Sequence, residues 1–227
     1  MSRVETIGNA TLYLGDCRDI LRRPTIAPAF AAAIYDPPFG IGYQSGHATA
    51  ALWKAGNRIV GDEEVSSRDT VVTMLQGIPQ LVFGSRKASL PPGCKMTLTW
   101  DKGPALGMGD LSLPWKPTTE EIYVLGQGFV GSRTNGAVIY HPPVQSMAKN
   151  GREHPNQKPV GLLRRLLQWM PPGCVIDPFM GSGSTGVACV EEGRPFLGIE
   201  IEPTYFDIAC RRIEDAQRQG QLFGAAA

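Results

Sequence analysis

Short apolar runs bounded by Gly and Pro alternate along this chain with segments whose apolar positions recur at helical spacing. The runs predict strands over Thr11 to Leu14, Ala31 to Tyr35, Gln80 to Phe83, Met96 to Trp100, Glu121 to Leu125, Cys174 to Ile176 and Phe196 to Ile199. Helices are fewer. Leu162, Leu163, Leu166, Leu167 and Met170 fall on one helical face, and Pro171-Pro172-Gly173 stops that pattern before Cys174 opens the next strand. A second helix is predicted from Gly183 to Glu192. A third starts at Pro203, whose fixed φ suits a first turn, and runs past Ile213 with Tyr205, Ala209 and Ile213 on one stripe. Such alternation implies an α/β fold: a mostly parallel sheet with helices on both faces. Gly40 to Asp69 and Gly126 to Arg152 show weak periodicity and are predicted as long loops, which in a compact domain are usually functional or disordered. The tail, Gly220 to Ala227, reads as flexible, and no internal repeat is visible.

Composition narrows the class. A chain of 227 residues with 42% hydrophobic residues can bury one substantial core, so a single domain is expected. Met1 to Ala10 lack the basic-then-apolar pattern of a signal peptide, and no run approaches the ~20 apolar residues that span a bilayer. A soluble cytoplasmic protein is expected. The cysteines, Cys17, Cys94, Cys174, Cys189 and Cys210, are odd in number and have no Cys-x-x-Cys spacing, which favours buried reduced thiols over a disulfide or metal role. The net charge of +1 is uninformative, but its distribution is not. Gly126 to Met170 holds six basic residues, among them Arg133, Lys149 and Arg152, against the single acid Glu153, while Asp177 to Asp215 holds eight acids against three arginines. A protein facing a polyanion on one side would be divided in this way. A solvated helix face with a loop would give the same division.

Two motifs carry the candidate chemistry. The first, Asp36-Pro37-Pro38-Phe39, follows the apolar run Phe30 to Tyr35 and places a carboxylate and a flat ring on a stiff turn at a strand end. The prolines hold φ at about −65° and donate no N–H, so acceptors are held in place without an unwanted donor. The second, Asp177-Pro178-Phe179-Met180-Gly181-Ser182-Gly183, is an acid at a strand end, then glycines that allow close backbone approach, then a helix. Downstream, Phe196 to Glu200 is another strand ending in an acid, a position that commonly hydrogen-bonds a ribose diol. These glycines fit neither the dinucleotide fingerprint nor the phosphate loop, which argues against a nucleotide triphosphatase. His154-Pro155-Asn156-Gln157-Lys158-Pro159 opens the Leu-rich helix, and a helix start beside a lysine can receive an anionic group. Leu14-Gly15-Asp16-Cys17 is a Gly-Asp turn whose acid could cap the turn that follows.

Together these strings resemble the beta group of S-adenosylmethionine-dependent DNA amino-methyltransferases, in which the catalytic motif precedes the cofactor loop. Leu98 to Lys102 resembles the family's Trp-x-Lys strand, and Glu120 to Gly126 its Glu-bearing strand. The resemblance implies a single Rossmann-like methyltransferase domain with permuted motif order. It implies that Asp177, Phe179, Gly181 and Gly183 line the methionine end of S-adenosylmethionine, that Glu200 holds its ribose, that Gln157 and Lys158 contact it, and that Asp16 lies against its adenine. Asp36 and the Pro37 carbonyl would each accept one N–H from an exocyclic base amine, so that the nitrogen becomes tetrahedral with its lone pair free. Pro38 would stiffen the turn, and Phe39 would stack on a base flipped out of the duplex. Asp ahead of Pro-Pro leans toward adenine N6 over cytosine N4. An RNA or protein-amide methyltransferase, or a cofactor- or DNA-binding relative without catalysis, are the other readings. The expected partner is DNA, with room for a homodimer and a restriction endonuclease. One departure stands out: only Gly126 to Arg152, with Arg133, Lys149 and Arg152, is available for target recognition. Recognition is then short-range, supplied by a partner protomer, or undemanding in sequence.

Overall fold

The structure is a computed structural model that describes residues 3–26, 30–38, 66–104, 112–144 and 157–224. Nine strands form one sheet: β1 (Val4–Ile7), β2 (Ala10–Leu14), β3 (Phe30–Tyr35), β4 (Gln80–Gly84), β5 (Met96–Asp101), β6 (Thr119–Leu125), β7 (Val138–Tyr140), β8 (Cys174–Asp177) and β9 (Phe196–Glu200). Their spatial order is β1-β2-β9-β8-β3-β4-β6-β5-β7. The central run β2-β9-β8-β3-β4 is parallel throughout, whereas β1 and β6 run antiparallel to their neighbours.

Alternation along the strands builds a core on each face. On one face Leu12, Ile34, Leu81, Phe83, Val175 and Phe196 meet α3 (Val160–Leu167), α4 (Ser184–Glu191) and α5 (Pro203–Gly224). On the other, Ala33, Tyr35, Val82, Ile176 and Ile199 meet α1 (Cys17–Leu21) and α2 (Ser66–Met74). The predicted Leu-rich face does this packing: Leu162, Leu163, Leu166, Leu167 and Met170 are all buried. Each such side chain contributes about 1.5–3 kcal/mol on burial. Pro159 is the N-cap of α3, just ahead of the first turn, and Pro203 opens α5 as expected.

The expected strands and helices are all present, and four further elements were not anticipated. Edge strands β1 and β7 are short and half-exposed, so their apolar pattern is faint; β7 lies inside the stretch expected to be a loop. Helix α1 is only five residues long, and α2 begins with four polar residues from the end of the other expected loop. Helix α5 continues to Gly224, into the stretch expected to be a tail, and residues 225–227 lie outside the described residues. Of the five cysteines, Cys17 and Cys189 are buried while Cys94, Cys174 and Cys210 are half-buried, and all are free. Among the described residues no helix is long and apolar enough to cross a membrane.

The topology fixes where a ligand can sit. From β8 the chain moves by way of α4 to β9 on one side, and from β3 by way of α2 to β4 on the other. The connections therefore diverge between β8 and β3, and an open α/β sheet binds ligands outside the carboxyl ends of its strands at such a point.

Candidate active site at the carboxyl edge of the sheet

Strands β3 and β8 are parallel neighbours with Ala33 opposite Ile176, so the two motifs, far apart in sequence, leave the same sheet edge side by side. Tyr35, the last residue of β3, ties them together: its ring packs on Phe179 at 5.9 Å between centroids. Its phenol donates to Gln80 Oε1 at 2.7 Å, and Gln80 Nε2 in turn donates to the carbonyls of Val72 and Leu75 in and after α2. Burial pushes the Tyr35 phenol well above its ordinary range, so it remains a neutral donor.

Asp36 follows directly. Lys158 Nζ donates to Asp36 Oδ2 at 2.7 Å and also lies 2.8 Å from Glu120 Oε1. Lys102 Nζ closes the series at 2.7 Å from Glu120 Oε2. Both ammonium groups also lie over aromatic rings, Lys158 4.8 Å from the Phe83 centroid and Lys102 4.7 Å from that of Trp100. Those two rings meet edge to face, and Trp100 Nε1 is fixed by the His141 carbonyl at 2.7 Å.

The other oxygen of Asp36 is different. Oδ1 is shielded from solvent and has no hydrogen-bond partner among the described residues, although the side chain as a whole keeps 23% of its surface exposed. Burial is the largest influence on this carboxyl and raises it to about 6, against the lowering effect of Lys158. Burial likewise opposes ionisation of Glu120 and Lys158, but in both the opposite charges win: Glu120 is held below its ordinary value and Lys158 above. Buried charges at this spacing must be paired, since removing one partner of such a pair typically costs about 3–5 kcal/mol.

The glycine loop is built from backbone bonds. Asp177 Oδ1 accepts from Phe179 N at 3.0 Å, and Glu200 accepts from Gly181 N and Glu202 N, each at 2.8 Å. Arg212 reaches from α5 to the Ser182 carbonyl at 2.6 Å and to the hydroxyls of Ser182 and Ser184 at 3.0 and 3.2 Å. Gly183 caps α4 with φ of +80°, and a Cβ there would lie 2.9 Å from that of Ala209, so glycine is required twice over. Gly181, with φ of +52°, faces open space where its Cβ would be. A backbone turn open on that side and an acid-ended strand beside it are what a nucleoside-containing cofactor needs, so the residues present fit such a group.

Residues 92–211 match the N6_N4_Mtase family model, described as DNA methylase. The chain belongs to the DNA methylase family. Within known members, the DNA adenine methyltransferase YhdJ of Escherichia coli (strain K12) is 36% identical over 92 residues, which are 40% of this chain and 31% of YhdJ. The matched stretch therefore spans about a third of that relative's length. The crystal structure of the M1.HpyAVI-SAM complex superposes with a TM-score of 0.59 at 22% identity, covering 89% of this chain and 99% of the other. The cytosine-N4-specific PvuII DNA methyltransferase superposes with a TM-score of 0.64 at 16% identity, covering 94% and 93%. These likenesses establish a methyltransferase α/β fold over nearly the whole chain.

Within this DNA methylase fold the residues singled out from sequence fall into four groups. Asp36, Pro37, Lys158, Asp177, Phe179, Gly181, Gly183 and Glu200 gather at the β3, β8 and β9 ends, with Pro38 and Gln157 adjoining. Asp16 lies one strand further on, where Gly15 N donates to the Glu200 carbonyl at 2.8 Å. Its carboxylate caps α1 through Arg18 N at 2.8 Å and pairs with the Arg18 guanidinium, which holds it below the ordinary carboxylate range. Arg133 is exposed in the connection between β6 and β7, away from this cluster. Phe39, Lys149 and Arg152 lie outside the described residues. Two site residues, Glu120 and Lys102, were visible only as parts of matching strands. Nothing in their spacing shows that antiparallel β6 brings its first residues to the edge where β5 ends.

Proposed function

We propose that this chain transfers a methyl group from S-adenosylmethionine to the exocyclic amine of a DNA base turned out of the duplex, with N6 of adenine as the favoured acceptor. One observation carries the reading: a shielded carboxylate oxygen, Asp36 Oδ1, with no hydrogen-bond partner among the described residues, beside a glycine loop at the switch point of the sheet. A buried acceptor without a donor is unfavourable unless something else donates to it. An amine N–H is such a donor.

The family membership and the fit of the glycine loop support S-adenosylmethionine as the cofactor. When bound, it supplies an electrophilic methyl group on a sulfonium. Asp177, Phe179, Gly181, Gly183 and Glu200 are assigned to hold it, with Gln157 beside them and Asp16 toward the adenine. The chain's task on the acceptor side is to make a conjugated amine nucleophilic. Asp36 Oδ1 takes one N–H and the Pro37 carbonyl the other, so the nitrogen becomes tetrahedral and its lone pair leaves conjugation with the ring. Methylation would leave that nitrogen cationic and the cofactor as its thioether, and Asp36 takes up the surplus amine proton and passes it to solvent. Asp36, raised only to about 6, is ionised at neutral pH and serves as an acceptor rather than a strong base. Phe39 is assigned to stack on the displaced base. Lys149 and Arg152 are assigned to backbone phosphates near the displaced base, and Arg133, exposed away from the site cluster, to phosphates further along the duplex.

Adenine is favoured by the Asp ahead of Pro37 and by the name of YhdJ; cytosine N4 poses the same hydrogen-bonding problem. The deciding experiment incubates purified protein and labelled S-adenosylmethionine with unmethylated DNA, RNA and protein, then digests the nucleic acid to nucleosides. N6-methyl-2′-deoxyadenosine from the DNA is expected. Label only in RNA or protein would overturn the substrate, and label in N4-methylcytosine would overturn the base.

A further inference from the structure

Asp36 stands at one end of a run of alternating charge drawn from four parts of the chain: Asp36 after β3, Lys158 ahead of α3, Glu120 in β6 and Lys102 after β5. Lys158 is 8% exposed, and the side chains of Glu120 and Lys102 are 13% and 21% exposed. Such an array is poorly explained by stability, because well-packed apolar side chains of similar volume commonly do as well. Its geometry gives a better reason. A carboxylate with two free oxygens can turn and meet an N–H with either, whereas here Oδ2 is held at 2.7 Å and Oδ1 alone is left.

We propose that Lys158 is a positioning residue for base presentation: it anchors Oδ2 of Asp36 so that Oδ1 faces the amine as the single acceptor, and Glu120, held by Lys102, sets how strongly Lys158 acts on Asp36. The proposal rests on the reading that Asp36 receives a base amine. It gives Lys158 work on the acceptor side of the reaction rather than the cofactor side. Among the described residues, Asp177 at the end of neighbouring β8 also faces Asp36, beside Lys158, Glu120 and Lys102. Lys158 stabilises the ionised Asp36 and Glu120 opposes it, so removing each must move the carboxyl in opposite directions.

The test uses full-length protein labelled with ¹³C at aspartate carboxyls, with Asp36→Asn to assign the signal. Lys158→Met should raise the Asp36 midpoint by about 1–3 pH units, and Glu120→Gln should lower it by a smaller amount. The acid limb of kcat for methyl transfer should shift in the same two directions. At neutral pH Lys158→Met should lower kcat by about 10²-fold, with the Kd for S-adenosylmethionine, measured by calorimetry, within about 3-fold of wild type. Glu120→Gln preserves volume and leaves Asp36 and Lys158 paired, so its downward shift is decisive even where Lys158→Met does not fold. An Asp36 midpoint that neither variant moves overturns the proposal. So does an unmoved midpoint with cofactor affinity lost in Lys158→Met, which would make Lys158 a cofactor ligand. If wild-type protein methylates no DNA, the substrate reading fails, and the carboxyl titrations still judge the anchor separately.

Discussion

Asp36 and Asp177 end adjacent parallel strands, and burial raises both, to about 6 and about 7. Their hydrogen bonds separate them. Asp177, 3% exposed, accepts from Phe179 N and is further lowered by the Thr185 side chain, so its bonding is spent on its own loop and the first turn of α4. Asp36 has one oxygen on Lys158 and the other on nothing described. Two carboxylates on one edge thus have different offices. One shapes a loop from within, and the other keeps an acceptor in reserve.

The sharpest way to break this contrast is to remove each carboxylate. Asp36→Ala should lower methyl transfer by about 10³-fold or more, as loss of a group acting on the reacting atoms does, while S-adenosylmethionine still binds. Loss of cofactor binding in that variant would make Asp36 a loop residue like Asp177. Asp177→Ala should instead destabilise the fold by about 1–3 kcal/mol through unpaired donors, and weaken cofactor binding with it. Thermal melts and calorimetry read both.

Titration sharpens the same contrast. A carboxyl raised in the folded protein binds its proton more tightly there than in the unfolded chain. The stability it contributes is complete below the unfolded value of 3.8 and is lost as pH rises through about 7. Asp177→Asn cannot titrate, so the difference in Tm, variant minus wild type, should increase from pH 4 to pH 7 and then level off. A flat difference would show that Asp177 is not raised. The smallest effect concerns the loop alone: Gly183→Ala should cost about 1–2 kcal/mol in a denaturant melt, from a left-handed backbone and the close approach to Ala209.

Long periodic segments were legible without coordinates, because a helix that buries Leu162, Leu163, Leu166 and Leu167 must repeat them at its own turn, and a strand buried on both faces must be apolar throughout. Short edge elements were not. Strand β7 buries only Ile139, and Val138 and Tyr140 face outward, so three residues carry one residue's worth of pattern. Helix α2 was obscured by Ser66, Ser67, Arg68 and Asp69, although Val71 and Val72 behind them are buried. In the site, the residue at each strand end could be named from its motif. Partners could not be, as Lys158 shows: a lysine ahead of a helix is equally suited to an anionic ligand or to a carboxylate from elsewhere in the chain.

The sequence by itself determined the residue types at the site, the turns that present them and the order of the two motifs, since these depend on local backbone chemistry: prolines that lock φ and glycines that permit positive φ. Only the tertiary structure decided that β3 and β8 are neighbours, that antiparallel β6 carries Glu120 to the same edge, and that Lys158 lies on Asp36. Those are matters of strand order and register. They are set by how two apolar faces of one sheet are covered at once, a condition that no single stretch of chain records.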